Sequence, residues 1–294
     1  MKKRTDLFPY TLVTPALAVT ILIIFFPIIQ TATMSLFNYV IWKPKDNRFI
    51  GLGNYLQALK DEVFWISLRN TLIWIVGVVV LQLLLGFATA LLLNRDFKWR
   101  GLARSLILIP WVTPSVITAL MWRWMYDGNN GVINDLLVRI GFLKSYFPWL
   151  ANSFTALPAI MIALMWQGFP FFAIMILAGQ QAIPKSLYEA AEVDGATTWQ
   201  KFARITLPML VPILFTSILL RVIWVANSMD VIYVMTGGGP GYATHTLPVY
   251  SFIRAYKALD FGYASTIAIF LTFLLIAIVA GYVIRVLRSQ EAMR

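Results

Sequence analysis

The chain contains no cysteine, a single histidine, and only 13% charged residues among its 294. Without thiols, disulfides and thiolate metal sites are excluded. The solitary His245 argues against a membrane enzyme, which would cluster His, Asp or Glu at one face; its loop position predicts ordinary polar surface. No G-x-x-x-x-G-K-[ST] stretch is present, and the glycine-rich run from Gly237 to Gly241 lacks a lysine, so no nucleotide site is expected.

What the chain does have is apolar length. Its hydrophobic fraction is 60%, outside the range of soluble domains. A bilayer core roughly 30 Å thick needs about 20 apolar residues per helix. Six windows meet that need, at about 10–38, 66–93, 105–126, 154–180, 209–235 and 263–287. They predict an all-α, polytopic transmembrane bundle, with residues 1–294 as one membrane domain. The first window follows a basic start but is too long for a signal peptide, so it reads as a retained span.

The net charge of +11 is read as orientation, not as a nucleic-acid footprint. With both termini inside, the inner segments hold 13 basic residues and the outer ones 8. The inner set is Lys2, Lys3, Arg4, Arg95, Lys98, Arg100, Arg104, Lys185, Lys201, Arg204, Arg285, Arg288 and Arg294. The short segment from Asn94 to Arg104 is strongly basic, and short loops dominate topology. Prolines 15, 27, 110, 114, 158, 170 and 212 interrupt the spans. Such breaks survive where neighbouring helices satisfy the freed backbone groups, which suits a bundle lining a pathway.

Polar side chains inside spans are costly and face the bundle interior. The fourth span carries Trp166 and Gln167; the fifth carries Arg221, Trp224, Asn227, Ser228 and Asp230. Asn227 and Asp230 are three apart and are expected on one helical face. Hydroxyl-rich solutes need this mixture of polar groups and aromatic rings. Two readings stay open: cargo contacts, or polar bridges between helices, with Arg221 paired to Asp230 or to a partner chain.

The most informative segment is a polar island at 183–208, IPKSLYEAAEVDGATTWQKFARITLP. Ser186 and Glu189 have capping-box spacing. A helix from Leu187 to Asp194 is expected to stop at Gly195, and a second, from Thr198 to Ile205, before Pro208. Trp199, Phe202 and Ile205 fall on one face of it. Ala190, Ala191 and Ala196 are small enough to let another surface approach.

The constellation Glu189-Ala190-Ala191, Gly195, then Ile205, Leu207 and Pro208 resembles the signature of permease subunits of binding-protein-dependent ABC importers. The stretches WQGFPFFAIMILAGQQAIPKSLYEAAEVDGA, NSMDVIYVMTGGGPGYATHTLPVY, FGYASTIAI and IPWVTPSVITALMWRWMY extend the resemblance to the carbohydrate branch, over nearly the whole length. The TGGGP loop resembles the first of two different permeases; the large outer domain of the maltose protein is absent, which leaves the general carbohydrate class.

The resemblance implies a subunit of a bacterial or archaeal cytoplasmic membrane importer that carries a sugar by alternating access. It implies a second permease, two cytoplasmic ATPase subunits that supply ATP and Mg chemistry, and an extracytoplasmic solute-binding protein. This chain would bind no cofactor, metal or nucleic acid and catalyse nothing. Its docking residues would be Ser186, Glu189, Ala190, Ala191, Asp194, Gly195, Ala196, Trp199, Phe202, Ile205, Leu207 and Pro208. A glycerol-phosphate-type or other polyol cargo is the alternative within the class. An ion-coupled secondary transporter is the alternative outside it, but only Asp230 lies clearly within a span.

Overall fold

A computed structural model describes residues 8–291, with side chains over 11–285. Lys2, Lys3, Arg4 and Arg294, and the side chain of Arg288, lie outside the described residues.

Among those residues, five helices are long and apolar enough to cross a membrane: Thr11–Ser35, Glu62–Leu93, Ala156–Ala182, Thr198–Asn227 and Phe261–Arg285. The third window is not one straight helix. It comprises Arg100–Val112 and Ser115–Met125, bent by 93°. Pro114 explains the bend: the residue before a proline is driven out of the helical region, and Thr113 is extended, with φ −72° and ψ 125°.

The fifth span also differs from the predicted 209–235. It begins earlier, at Thr198, and ends at Asn227. Pro208 does not stop the second helix of the polar island as expected. A π-helical turn, Phe202–Thr206, sits between Thr198–Lys201 and Leu207–Asn227, with the Leu207 amide bonded to the Phe202 carbonyl. Proline lacks an amide hydrogen and its ring crowds the carbonyl four residues back; the wider turn accommodates both. The same device recurs in the first span, where the π-turn Ile21–Phe25 precedes Phe26–Ser35 with Pro27 near its start.

The chain divides into two compact units. One takes the residues up to Phe64 with Tyr250–Leu274. In it a short antiparallel ladder pairs Phe37 with Phe49 and Asn38 with Arg48. Asn54 donates to the Ser35 and Phe37 carbonyls, both at 2.9 Å, tying off the end of the first span. Asp61 accepts from the hydroxyls of Tyr250 at 2.5 Å and Tyr263 at 2.6 Å. Arg254 lies 4.5 Å over the Tyr263 ring.

The other unit takes Trp65–Val249 and the chain from Leu275. His245 belongs to it and is not surface: it is 6% exposed, with Nδ1 at 2.7 Å from the Gly238 carbonyl oxygen. Gly238 makes room for the ring, since a Cβ there would fall 2.6 Å from His245 Cε1, and its φ is +96°. The TGGGP loop is thus folded around the one histidine.

Candidate functional site

Two places in the second unit bring the singled-out residues together. The first is a cavity of roughly 280 Å³, near the lower end of the ~300–1,000 Å³ typical of small-molecule sites. It forms where two spans break. At the first break Gln167 donates to the Thr113 carbonyl at 2.9 Å. At the second, Trp74 donates to the Val225 carbonyl at 3.0 Å. Gln167 thereby satisfies a backbone oxygen at the first break, whereas Trp74 adds to the bond that the Ser228 amide already gives the Val225 oxygen at 3.2 Å. The restarted helices, Ser115–Met125 and Asp230–Thr236, are joined at their first residues by a 2.6 Å hydrogen bond from Ser115 Oγ to Asp230 Oδ2.

Gln167, Arg221, Trp224 and Ser228 line this cavity, together with Trp111 and Ser115. Trp111 and Trp224 are 43% and 46% exposed. Phe171 bridges them, with ring centroids 6.1 Å from Trp111 and 5.3 Å from Trp224. Among the described residues, no acidic side chain lines the cavity.

The other three expected pathway residues lie elsewhere. Trp166 packs on Trp122, with centroids 6.1 Å apart. Asn227 is exposed and donates back to the Ile223 carbonyl at 2.8 Å. Asp230 is not among the cavity-lining residues and accepts from Ser115, which is. Asn227 and Asp230 do not share a face of one helix, because Ser228 is extended (ψ 98°) and its hydroxyl turns back onto the Val225 carbonyl at 2.7 Å. A serine competing for backbone in this way ends helices. Nor is Arg221 paired with Asp230. Its Nε donates to Gln82 Oε1 at 2.8 Å, and its guanidinium lies 5.9 Å from the Phe171 ring and 5.7 Å from the Trp224 ring.

Gln82 escaped the sequence reading, although it is the one amide in the otherwise apolar second half of its span. The expense of burying an amide in a span was the available signal. Trp111 and Ser115 escaped because they flank a break that the window average smooths over.

The second place is the polar island. Its first helix is Lys185–Val193, starting two residues earlier than expected, and Pro184 (φ −59°, ψ 130°) is its N-cap. Ser186 therefore lies inside the first turn and makes no capping bond; the Ser186–Glu189 box is not formed. The capping box is one helix later. Thr197 Oγ1 accepts from the Gln200 amide at 3.3 Å, and Gln200 Oε1 accepts from the Thr197 amide at 2.7 Å.

Gly195 ends the first helix in the left-handed region, with φ +75°. The Ala196 amide bonds the Ala191 carbonyl at 2.9 Å and the Gly195 amide bonds that of Glu192 at 3.0 Å. These two bonds make a Schellman closure, which glycine favours because it has no Cβ. Two further bonds clamp the pair of helices. Lys201 Nζ lies 2.6 Å from Glu192 Oε1, and the Tyr188 and Thr206 hydroxyls are 2.8 Å apart.

Glu189, Ala190 and Asp194 are exposed, Ala191 and Ala196 are half-buried, and Trp199 is 72% exposed. Phe202 and Ile205 are half-buried; Phe202 packs against Phe87, ring centroids 6.0 Å apart. Leu207 and Pro208 are exposed at the start of the membrane helix. Between Ala191, Gly195 and Ala196 on one side and Lys201, Arg204 and Ile205 on the other lies a groove of roughly 350 Å³.

Comparison with known proteins gives a consistent result. Residues 82–289 match the family described as binding-protein-dependent transport system inner membrane component. The trehalose/maltose transport system permease protein MalF of Thermococcus litoralis is 40% identical over 94% of this chain and 92% of its own length. The sulfoquinovosyl glycerol transport system permease protein SmoG of Agrobacterium fabrum is 36% identical over 95% of this chain and 90% of its own. Among solved structures, a bacterial ABC transporter involved in the import of the acidic polysaccharide alginate has a chain with the same fold. Its TM-score is 0.83 at 22% identity, over 96% of both chains.

Proposed function

The chain belongs to the family of binding-protein-dependent transport system inner membrane components, and on that premise we propose that it is one permease half of an ATP-driven sugar importer. It pairs with a second, different permease. Two ATPase subunits bind and hydrolyse ATP with Mg, an outer binding protein delivers the sugar, and this chain catalyses no reaction. The relatives named for trehalose/maltose and for sulfoquinovosyl glycerol transport support a carbohydrate cargo. The first of these is matched over 92% of its length, so the brevity of this chain does not argue against a disaccharide.

One observation carries the coupling mechanism. The second docking helix is not a separate loop element but the first turn of the Thr198–Asn227 span. A rigid-body push on Lys185–Val193 therefore reaches the Ser228 break, where the cavity lies, through clamped and continuous helix. The exposed Glu189 and Asp194 offer charge to a basic groove on the ATPase, and the small Ala190 allows close approach. Both termini and the docking segment are cytoplasmic in this scheme. At the cavity the hydroxyls of a sugar meet Gln167, Ser115, Ser228 and Arg221, and its ring faces meet Trp111 and Trp224. A second cargo, an anionic polyol such as glycerol phosphate, is favoured by one observation: among the described residues, no carboxylate lines the cavity beside Arg221.

The test is coupling. In a reconstituted importer, Glu189→Ala, which removes a charged contact, and Gly195→Pro, which cannot adopt φ +75° or donate to the Glu192 carbonyl, should keep assembly while lowering sugar carried per ATP by about tenfold. Wild-type stoichiometry in Gly195→Pro would refute the docking role.

A further inference from the structure

We propose that Gln82 is a positioning residue for cargo recognition, holding Arg221 so that the free end of its guanidinium reads adjacent hydroxyl oxygens of a neutral sugar. This rests on the cavity being the cargo site.

Gln82 is fully buried, on the Glu62–Leu93 helix. Both ends of its amide are used. Nε2 donates to the Leu164 carbonyl at 2.7 Å, which fixes the amide orientation. Oε1 is thereby presented to Arg221 Nε at 2.8 Å. The neighbouring helix leaves space for this pair only because residue 168 has no side chain. A Cβ on Gly168 would fall 2.1 Å from Gln82 Nε2 and 2.2 Å from an Arg221 terminal nitrogen.

The consequence lies in what stays unbonded. Nε is the Arg221 donor that Gln82 engages; one terminal nitrogen lies against Gly168, itself a wall of the cavity, and among the described residues neither terminal amino group makes a hydrogen bond. A guanidinium is a planar fork whose donors sit side by side, a geometry that fits two oxygens on neighbouring ring carbons. The rings of Phe171 and Trp224 flank the fork and restrict its swing. A carboxylate at position 82 would hold Arg221 too, but it would set an acceptor against the Leu164 carbonyl. A neutral amide donates to that oxygen and accepts from the arginine at once.

The experiment measures uptake by the complete reconstituted importer with its binding protein. The probe is whichever of maltose, trehalose and maltotriose gives the highest wild-type rate. Gln82→Leu should raise the KM for uptake about tenfold, the loss expected for one hydrogen bond to a charged group. Its maximal rate should stay within about twofold of wild type.

Arg221→Lys should raise KM similarly, and the double variant should be no worse than either single one, because lysine has no Nε to position. An unchanged KM in Gln82→Leu, a fall in maximal rate alone, or multiplying effects in the double variant would each overturn the proposal. Should Gln82→Leu fail to assemble, Gln82→Asn decides by the same readout; it keeps the amide but is too short to span both partners. Trp224→Ala separates the two levels. If it and Arg221→Lys both leave KM unchanged, the cavity is not the cargo site. If both raise KM and the Gln82 variants do not, only the positioning role fails.

Discussion

Asp61 shows how much one side chain can hold together. Burial pushes its carboxyl up, but hydrogen bonds from Tyr250, Tyr263 and the Val63 amide, with the charge of Arg254, more than offset this. They hold it below its ordinary value of 3.8. A depressed folded value means the carboxylate stabilises the fold at all pH above the ordinary value. That contribution is lost as pH falls from 3.8 through the lower folded value. Asp61→Asn should therefore lower the melting temperature at neutral pH and flatten its fall on acidification. A melting curve that keeps the wild-type acid slope would contradict the assignment. Nothing in the sequence pointed to this cluster, because its members are spread over some two hundred residues.

At the scale of elements, the spans were legible and their interruptions were not. Hydropathy averages over a window, so it finds Glu62–Leu93 and misses both Gln82 within it and the break at Thr113. The island was legible in its parts: Gly195 takes the left-handed conformation that its position after Asp194 requires. The misplaced cap has a simple cause. Ser186-x-x-Glu189 and Thr197-x-x-Gln200 obey the same spacing rule. Pro184 already starts the first helix, so Ser186 has no cap position to fill, whereas Thr197 follows the Gly195 closure in extended conformation, with ψ 161°.

The difference can be read out by hydrogen exchange. Thr197→Ala should remove about 1 kcal/mol of local stability, which speeds amide exchange over residues 198–201 about fivefold. Ser186→Ala should leave exchange over 185–188 unchanged. Equal effects at the two sites would place the cap wrongly.

At the scale of the molecule, the absence of cysteine makes orientation directly measurable. A single introduced thiol is the only one a maleimide can find. Val193 and Phe142 are 89% and 77% exposed. With the docking segment inside, a membrane-impermeant maleimide should label Phe142→Cys on intact cells and Val193→Cys only after permeabilisation. The reverse pattern would invert the topology inferred from charge.

The unbroken run from Thr198 to Asn227 has one more implication. Thirty residues of helix span about 45 Å, so a tilt of about 5° at the docking end sweeps the far end through about 4 Å. That stroke is comparable to the width of a hydroxyl group's contact, enough to make or lose a sugar's hold. Such gearing has little slack: the Gly195 turn is clamped by the Lys201–Glu192 pair and the π-turn at Phe202–Thr206 stays hydrogen-bonded, so on the proposed coupling the cavity moves whether or not it is filled. In an importer of the kind proposed, idle turnover would then have to be prevented at the motor, by withholding the grip on Lys185–Val193 until a loaded binding protein has docked.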